Sequence, residues 1–268
     1  IDFGDMLDYL ARDPKTRAIM LYIEAVTHPR KFMSAARAAA RTKPVIVIKS
    51  GRTASGAKAA SSHTGALAGS DDVYDVAFRR AGMLRVADMD ELFDAVETLG
   101  MRVKVEGERL AVLTNGGGLG VMAADTASDL DGVLASLSDD TMDALNASLP
   151  RTWSHGNPID IIGDAPGSRY TAALDAILKD RGVDAVVVIN CPTAIADSGD
   201  AAQAVVEAKA KTSKPILTSW IGHQAVEPAR NLFAEHKIPT YDTPEKAVRA
   251  FMHLVTYKRN QTTLMEVP

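Results

Sequence analysis

Short apolar runs, each followed by a polar or glycine-rich turn, constrain this chain more than any other feature. Ala18-Ile19-Met20-Leu21-Tyr22-Ile23 is continuous, of strand length, and ends at Glu24. Because it is apolar on both faces, it reads as a central parallel strand covered by helices. Pro44–Ile48, Leu84–Val86, Leu110–Thr114, Pro158–Ile162, Asp184–Ile189 and Pro215–Ser219 read as further strands. Between them lie helical stripes. Phe3, Met6, Leu7 and Leu10 share one face, as do Tyr74, Ala77, Phe78 and Ala81, and Tyr170, Ala173, Leu174 and Ile177. Asp88 with Glu91 has the capping-box pattern, and Thr243-Pro244 opens the last helix as N-cap and first residue. Alternating strands and helices point to an α/β chain with doubly wound parallel sheets. Met101–Glu108 is charged and lacks periodicity, so the reading places a boundary there, with domains over 1–104 and 105–268.

Glu24, Ser50-Gly51, Asn115–Gly118, Asn190–Thr193 and Trp220–Gly222 all fall at predicted carboxyl ends of strands. In open α/β sheets ligands bind at that edge. A formal net charge of -4 offers no basic footprint, which argues against nucleic acid as a partner. No apolar run is long enough to span a bilayer, and no signal peptide is seen. Cys191 is the single cysteine, which excludes an internal disulfide and fits a reducing cytoplasm. No Cys/His spacing suggests a metal site.

The stretch Gly51–Gly69, GRTASGAKAASSHTGALAG, reads as a surface loop between a strand and a helix that opens near Ser70. His63 is its only residue able to titrate near neutral pH or to attack phosphorus. Ala60-Ser61-Ser62 and Thr64-Gly65-Ala66 leave the imidazole uncrowded. One ring nitrogen must attack while an acceptor holds the other, and Glu24 is the best-placed carboxylate. Two nucleotide motifs are nearly present and fail. Lys58 comes one position late for a phosphate loop and no Ser or Thr follows it; Gly116-Gly117-Gly118-Leu119-Gly120 lacks the last glycine of GxGxxG. The backbone at Gly116 and Gly117 can still hold an anion or a CoA thioester, or simply make a tight turn. Asn190–Ile195 reads as a second strand-to-helix turn, with Pro192 near the first helical turn and the Thr193 hydroxyl turned to phosphate. Cys191 reads as a small buried filler, and Trp153, His155, Trp220 and His223 as packing or capping residues.

Ser61-Ser62-His63-Thr64-Gly65-Ala66-Leu67-Ala68-Gly69, with Asp71, Tyr74 and Ala81-Gly82, closely resembles the phosphohistidine segment of ADP-forming acyl-CoA synthetases, relatives of succinyl-CoA synthetase. Leu21–Glu24, Lys49–Arg52, Asn115–Gly118, Asn157–Asp160 and Cys191–Asp197 look like further landmarks of the family. The resemblance implies two flavodoxin-like, succinyl-CoA synthetase-like domains, the first bearing the phosphohistidine and lacking its opening strand–turn–helix. It implies the reaction acid + CoA + ATP ⇌ acyl-CoA + ADP + phosphate, with His63 phosphorylated and Glu24 orienting it. Asn115, Thr193, Ala194 and Ile195 match positions lining the phosphate and carboxylate site. Coenzyme A and ATP with Mg are then substrates, bound mainly by CoA-binding and ATP-grasp domains or subunits that this piece lacks. A small carboxylic acid and assembly into a homo-oligomer complete the picture, and the piece alone should not turn over. The C-terminal half, with Arg249–Val255 and Tyr257–Gln261, also resembles bacterial protein lysine acetyltransferases that fuse a GNAT domain to a version of this ligase. In that alternative the piece is a non-catalytic acetyl-CoA-sensing module; the presence of His63 and Glu24 favours the ligase.

Overall fold

Parallel strands and covering helices alternate through the chain, as the apolar runs require. The computed structural model describes residues 1–64 and 70–266, apart from the side chains of Ser61, His63 and Thr64. The chain divides into one unit of Ile1–Arg102 together with the residues from His253 on, and a second of Val103–Met252.

In the first unit, α1 (Phe3–Arg12), β1 (Ile19–Ile23), α2 (Pro29–Ala40), β2 (Val45–Lys49), α3 (Ala54–Thr64), α4 (Asp71–Arg80), β3 (Leu84–Val86) and α5 (Met89–Gly100) follow one another. The strands form a parallel sheet in the order β1-β2-β3. Ile19, Leu21 and Ile23 join Val45 and Val47 in a buried cluster with Phe32, Phe78 and the alanines of α2. Asp2 starts α1 with a capping box, accepting from Gly4 N at 2.8 Å while Asp5 accepts from Asp2 N at 3.0 Å. The expectation of a strand covered on both faces fails at β1. Met20 and Tyr22 are exposed, and among the described residues β1 has a sheet neighbour on one side only. An outer strand has half its surface to cover, and an apolar run does not by itself reveal which half is met by a helix.

In the second unit, β4 (Arg109–Thr114), α6 (Gly117–Asp129), β5 (Val133–Leu134), α7 (Asp139–Ser148), β6 (Ile159–Asp160), α8 (Gly167–Lys179), β7 (Ala185–Asn190), α9 (Ser198–Lys209), β8 (Ile216–Trp220), α10 (Glu227–Glu235), β9 (Thr240–Tyr241) and α11 (Pro244–Met265) alternate. The parallel sheet runs β5-β4-β7-β8-β9, the flavodoxin-like order, with β6 also on β4. The open edge of β4 is filled by three pieces. β5 pairs with Arg109 and Leu110, and β6 with Leu113 and Thr114. Between them the Asn157 amide accepts from Val112 N and donates to Leu110 O and Ala135 O, each at 2.9 Å. Every backbone group at such a buried edge needs a partner, and a side chain supplies the missing strand. The Tyr170, Ala173, Leu174 and Ile177 stripe of α8 is fully buried, as its periodicity predicts.

The sequence reading gives everything from 105 on to the second domain, whereas the last stretch of α11 groups with the first unit. There Asn260 Nδ2 donates to Met83 O at 2.7 Å, Gln261 Nε2 to Gly82 O at 2.7 Å, and Leu264 joins the cluster of Phe78. A helix of 22 residues with one uninterrupted pattern carries no sequence mark at the point where it changes partners.

Candidate functional site

Two rims of strand ends carry the candidate residues, one in each unit.

On the first rim, Gly51 has φ 70°, which an L side chain rarely adopts, and turns the chain out of β2. Thr53 then opens α3, its hydroxyl accepting from Gly56 N at 3.1 Å. Over its described residues the reading of Gly51–Gly69 as a loop is therefore corrected: residues 54–64 are α-helical and His63 falls within α3. Ala57, Ala59 and Ala60 look like loop filler because they are small, yet alanine is the strongest helix former. The His63 side chain and residues 65–69 lie outside the described residues, and with them the expected open surroundings of the imidazole. Glu24 directly follows β1 and is half-buried; among the described residues its carboxylate has no hydrogen-bond donor or ion-pair partner. Beside it, Lys49 closes β2 and is 2 % exposed. Burial pulls the Lys49 ammonium below its ordinary pKa and Arg85 acts in the same direction, while Asp71 and Glu24 oppose the shift. Asp71, in the first turn of α4, pairs with Arg85 at 2.6 Å.

On the second rim, β4 and β7 are neighbours from which the chain departs in opposite directions across the sheet. That is the switch point, where open α/β sheets bind ligands. Asn115 spans it. Its Oδ1 accepts from Cys191 N at 2.7 Å and its Nδ2 donates to Cys191 O at 2.9 Å. Thr114 Oγ1 accepts from Gly116 N at 3.0 Å, setting the turn into α6. No side chain caps that helix from Gly116. A Cβ on Gly117 would lie 2.6 Å from Asp160 Oδ2, so this carboxylate stands against the first turn of α6. Asp160 Oδ1 accepts from Ile162 N at 2.9 Å.

Asn190–Ile195 does form part of a strand-to-helix turn, but the reading that puts Pro192 near the first helical turn is corrected. Thr193 and Ala196 form an antiparallel bridge, and α9 begins only at Ser198, capped by Asp197. Asp197 supplies the better cap, accepting from Gly199 N at 2.6 Å, so Pro192 does not start the helix. Thr193 Oγ1 donates to Gly163 O at 2.9 Å, while Ala194 is exposed and Ile195 is 75 % exposed at the tip. Asn115, Gly116, Gly117 and the Thr193 turn thus share one rim. Trp153 and Trp220 are buried, their indoles donating to Asn146 Oδ1 and Ser198 O at 3.0 Å.

Sequence reasoning missed Lys49 and Asp160 as rim residues. For Lys49 the signal is present, since period two puts it on the row of Val45 and Val47. For Asp160 nothing in the sequence places it against Gly117. Among the described residues no group of His, Cys, Asp and Glu has the arrangement of a metal site, and no helix is long and apolar enough to cross a membrane.

Known proteins resemble the chain over its whole length. The succinyl-CoA ligase-like flavodoxin domain matches residues 1–99 and the Ligase-CoA domain residues 110–264. The ADP-forming acetate–CoA ligase I of Archaeoglobus fulgidus is 40 % identical over 259 residues, covering 97 % of this chain and 37 % of the relative. The alpha subunit of ADP-forming acetate–CoA ligase I of Pyrococcus furiosus is 36 % identical over 261 residues, covering 97 % and 56 %. The structure of acetyl-coenzyme A synthetase 1 from Ca. Korarchaeum cryptofilum, in complex with phosphate and ADP, superposes with a TM-score of 0.90 at 37 % identity, covering 100 % of this chain and 59 % of that one. The chain therefore spans between a third and three fifths of the length of these relatives. With both domain families matched and the parallel-sheet fold shared, the chain belongs to the CoA ligase family built from the succinyl-CoA ligase-like flavodoxin domain and the Ligase-CoA domain.

Proposed function

We propose that this chain is the phosphoryl-relay portion of a nucleoside-diphosphate-forming acyl-CoA synthetase. A ring nitrogen of His63 attacks the γ-phosphorus of ATP, and ADP leaves with the bonding pair. The carboxylate of a small acid then takes the phosphoryl group from His63, giving an acyl phosphate. The CoA thiol attacks the acyl carbon, its proton goes to a base, and phosphate departs. ATP with Mg and CoA would be held mainly by CoA-binding and ATP-grasp domains or subunits, in a cytoplasmic assembly. Asn115, Gly116, Gly117 and the Thr193–Ile195 turn would line the phosphate and carboxylate site.

The observation that carries this reading is Glu24. A half-buried carboxylate at a strand end, with no donor among the described residues, supports the reading because it has an acceptor free for a ring N–H, the contact that fixes a histidine tautomer. The relatives described above are ligases, which favours this reading over that of an acetyl-CoA-sensing module. The test is γ-32P-labelled ATP with Mg added to the full-length protein. The reading expects acid-labile, base-stable label that His63→Ala abolishes and Glu24→Gln strongly lowers. Acetyl-CoA binding by an unlabelled protein would support the sensing module instead.

A further inference from the structure

The turn that carries Thr193, Ala194 and Ile195 is tied at its base by one buried side chain. Asn190 closes β7, a strand otherwise wholly apolar, and is 3 % exposed. Its Oδ1 accepts from Ser198 Oγ at 2.7 Å and its Nδ2 donates to the Tyr170 hydroxyl at 3.0 Å. Tyr170 is fully buried near the start of α8, and its hydroxyl points its own proton towards Ile189 O at 3.5 Å. Ser198 is the first residue of α9, and its carbonyl accepts from Trp220 Nε1 at 3.0 Å. The Asn190 carbonyl in turn accepts from Ile221 N at 3.1 Å.

Residues 191–197 therefore leave β7 and return to α9 through a base closed by Asn190 and Ser198. Above it, the described contacts are the Thr193–Ala196 bridge, the bond from Thr193 Oγ1 to Gly163 O and the hold of Asn115 on Cys191. Ala194 and Ile195 are exposed, so core packing does not fix the tip. An amide and a phenol in a core cost desolvation unless each is satisfied, and apolar residues of the same size would fill these places without that cost. What hydrogen bonds add is direction: they hold the end of β7 and the start of α9 in one arrangement. Binding groups carried on a loop need that support from rigid elements beneath it.

We propose that Asn190 is a positioning residue for the acid-binding turn, tying Ser198 to Tyr170 so that residues 193–195 stay presented on the rim. This rests on the reading that the Thr193–Ile195 turn lines the phosphate and carboxylate site. Asn190 touches no substrate; it acts through the turn.

The test uses the full-length protein, labelled with γ-32P-labelled ATP and Mg and then chased with acetate and CoA. Acetate is the probe because the relatives at 40 and 36 % identity are acetate–CoA ligases. Ser198→Ala and Tyr170→Phe should take up label to the wild-type level, since the turn serves the acid and not ATP, but discharge it about tenfold more slowly. Amides of residues 193–196 should exchange hydrogen faster in both. Ser198→Thr, which keeps the hydroxyl, should restore the rate. Because both changes act through Asn190, the double variant should lose much less than the product of the two losses. Asp180→Asn, which loosens the same unit at the amino end of β7, should melt lower yet discharge normally.

Unchanged discharge overturns the proposal: with unchanged exchange Asn190 does not position the turn, and with faster exchange the turn does not line the site. Equal slowing in Asp180→Asn, fully multiplicative losses, or failure of both Ser198→Ala and Tyr170→Phe to fold would make the network structural, which also overturns it. Wild type that takes no label sinks the phosphohistidine reading and this proposal with it. Label that acetate, propionate and butyrate all leave in place with CoA sinks the small-acid reading in the same way.

Discussion

Asn115 and Cys191 clasp the switch point of the second sheet through two hydrogen bonds in opposite senses, Cys191 N to Asn115 Oδ1 at 2.7 Å and Asn115 Nδ2 to Cys191 O at 2.9 Å. Asn115 is 3 % exposed, so water cannot replace it. Asn115→Leu removes both partners of the half-buried Cys191 backbone, and should cost about 1–3 kcal/mol in urea unfolding. Asn115→Asp keeps one acceptor but turns a carboxylate oxygen towards the Cys191 carbonyl. Its folded pKa must rise, so the variant should be weakest at neutral pH and regain stability as pH falls towards the ordinary carboxylate range. A flat pH dependence of the difference from wild type would contradict the clasp.

Much of this was legible in the sequence. The buried stripe of α8, the strand runs of β4, β7 and β8, and the glycine turn after β4 follow from periodicity and punctuation. The clasp does not: Asn115 and Cys191 are 76 positions apart, and nothing local marks an asparagine that will bridge two strands. The helix α3 was hidden for a different reason. Alanine, serine and glycine suit both a small-residue loop and a helix, and its stripe is too weakly apolar to decide. Lys49 was hidden by its charge, since a lysine after four apolar residues reads as the end of burial and here continues it.

Gly117 and Asp160 should be coupled. A Cβ at Gly117 would stand 2.6 Å from Asp160 Oδ2, so Gly117→Ala pushes the carboxylate away and disturbs its 2.9 Å bond from Ile162 N. The contact is with the far end of one side chain, so the cost should be moderate, about 1–3 kcal/mol. In an Asp160→Ala background the same change should cost less by more than about 0.5 kcal/mol. Additive losses in the double-mutant cycle would show that the two positions do not touch.

Thr53 should set the start of α3. Its hydroxyl accepts from Gly56 N at 3.1 Å and its carbonyl from Ala57 N at 2.8 Å. Thr53→Ala removes the first and should weaken the helix by about 1 kcal/mol, with faster hydrogen exchange at the amides of residues 54–57; Thr53→Ser should restore protection. Since α3 carries His63, Thr53→Ala should also lower phosphoryl labelling in the full-length protein. Exchange unchanged in the alanine variant would refute the cap.

Asp180 should govern the acid response of the second unit. It is 5 % exposed and accepts from Ser138 N at 2.8 Å and Gly182 N at 2.7 Å. Burial pushes its carboxyl up, but the hydrogen bonds from Ser138 and Gly182 outweigh burial and hold the group below the ordinary value. A carboxylate depressed in the folded state contributes stability that is present above the unfolded pKa and lost as pH falls through the folded one. Asp180→Asn keeps an acceptor for one donor and loses the charge, so it should cost about 1–3 kcal/mol at pH 7. The deficit should begin to shrink as pH falls below about 4, the ordinary carboxylate value, and close only below the depressed folded pKa, where the wild-type carboxylate is protonated in both states. Urea unfolding of both at neutral and acid pH checks this. A deficit of the same size at both would mean that Asp180 acts through packing and shape, leaving the acid sensitivity of this unit to another carboxylate such as Asp184, which Arg109 holds below its ordinary pKa through contacts at 2.8 Å.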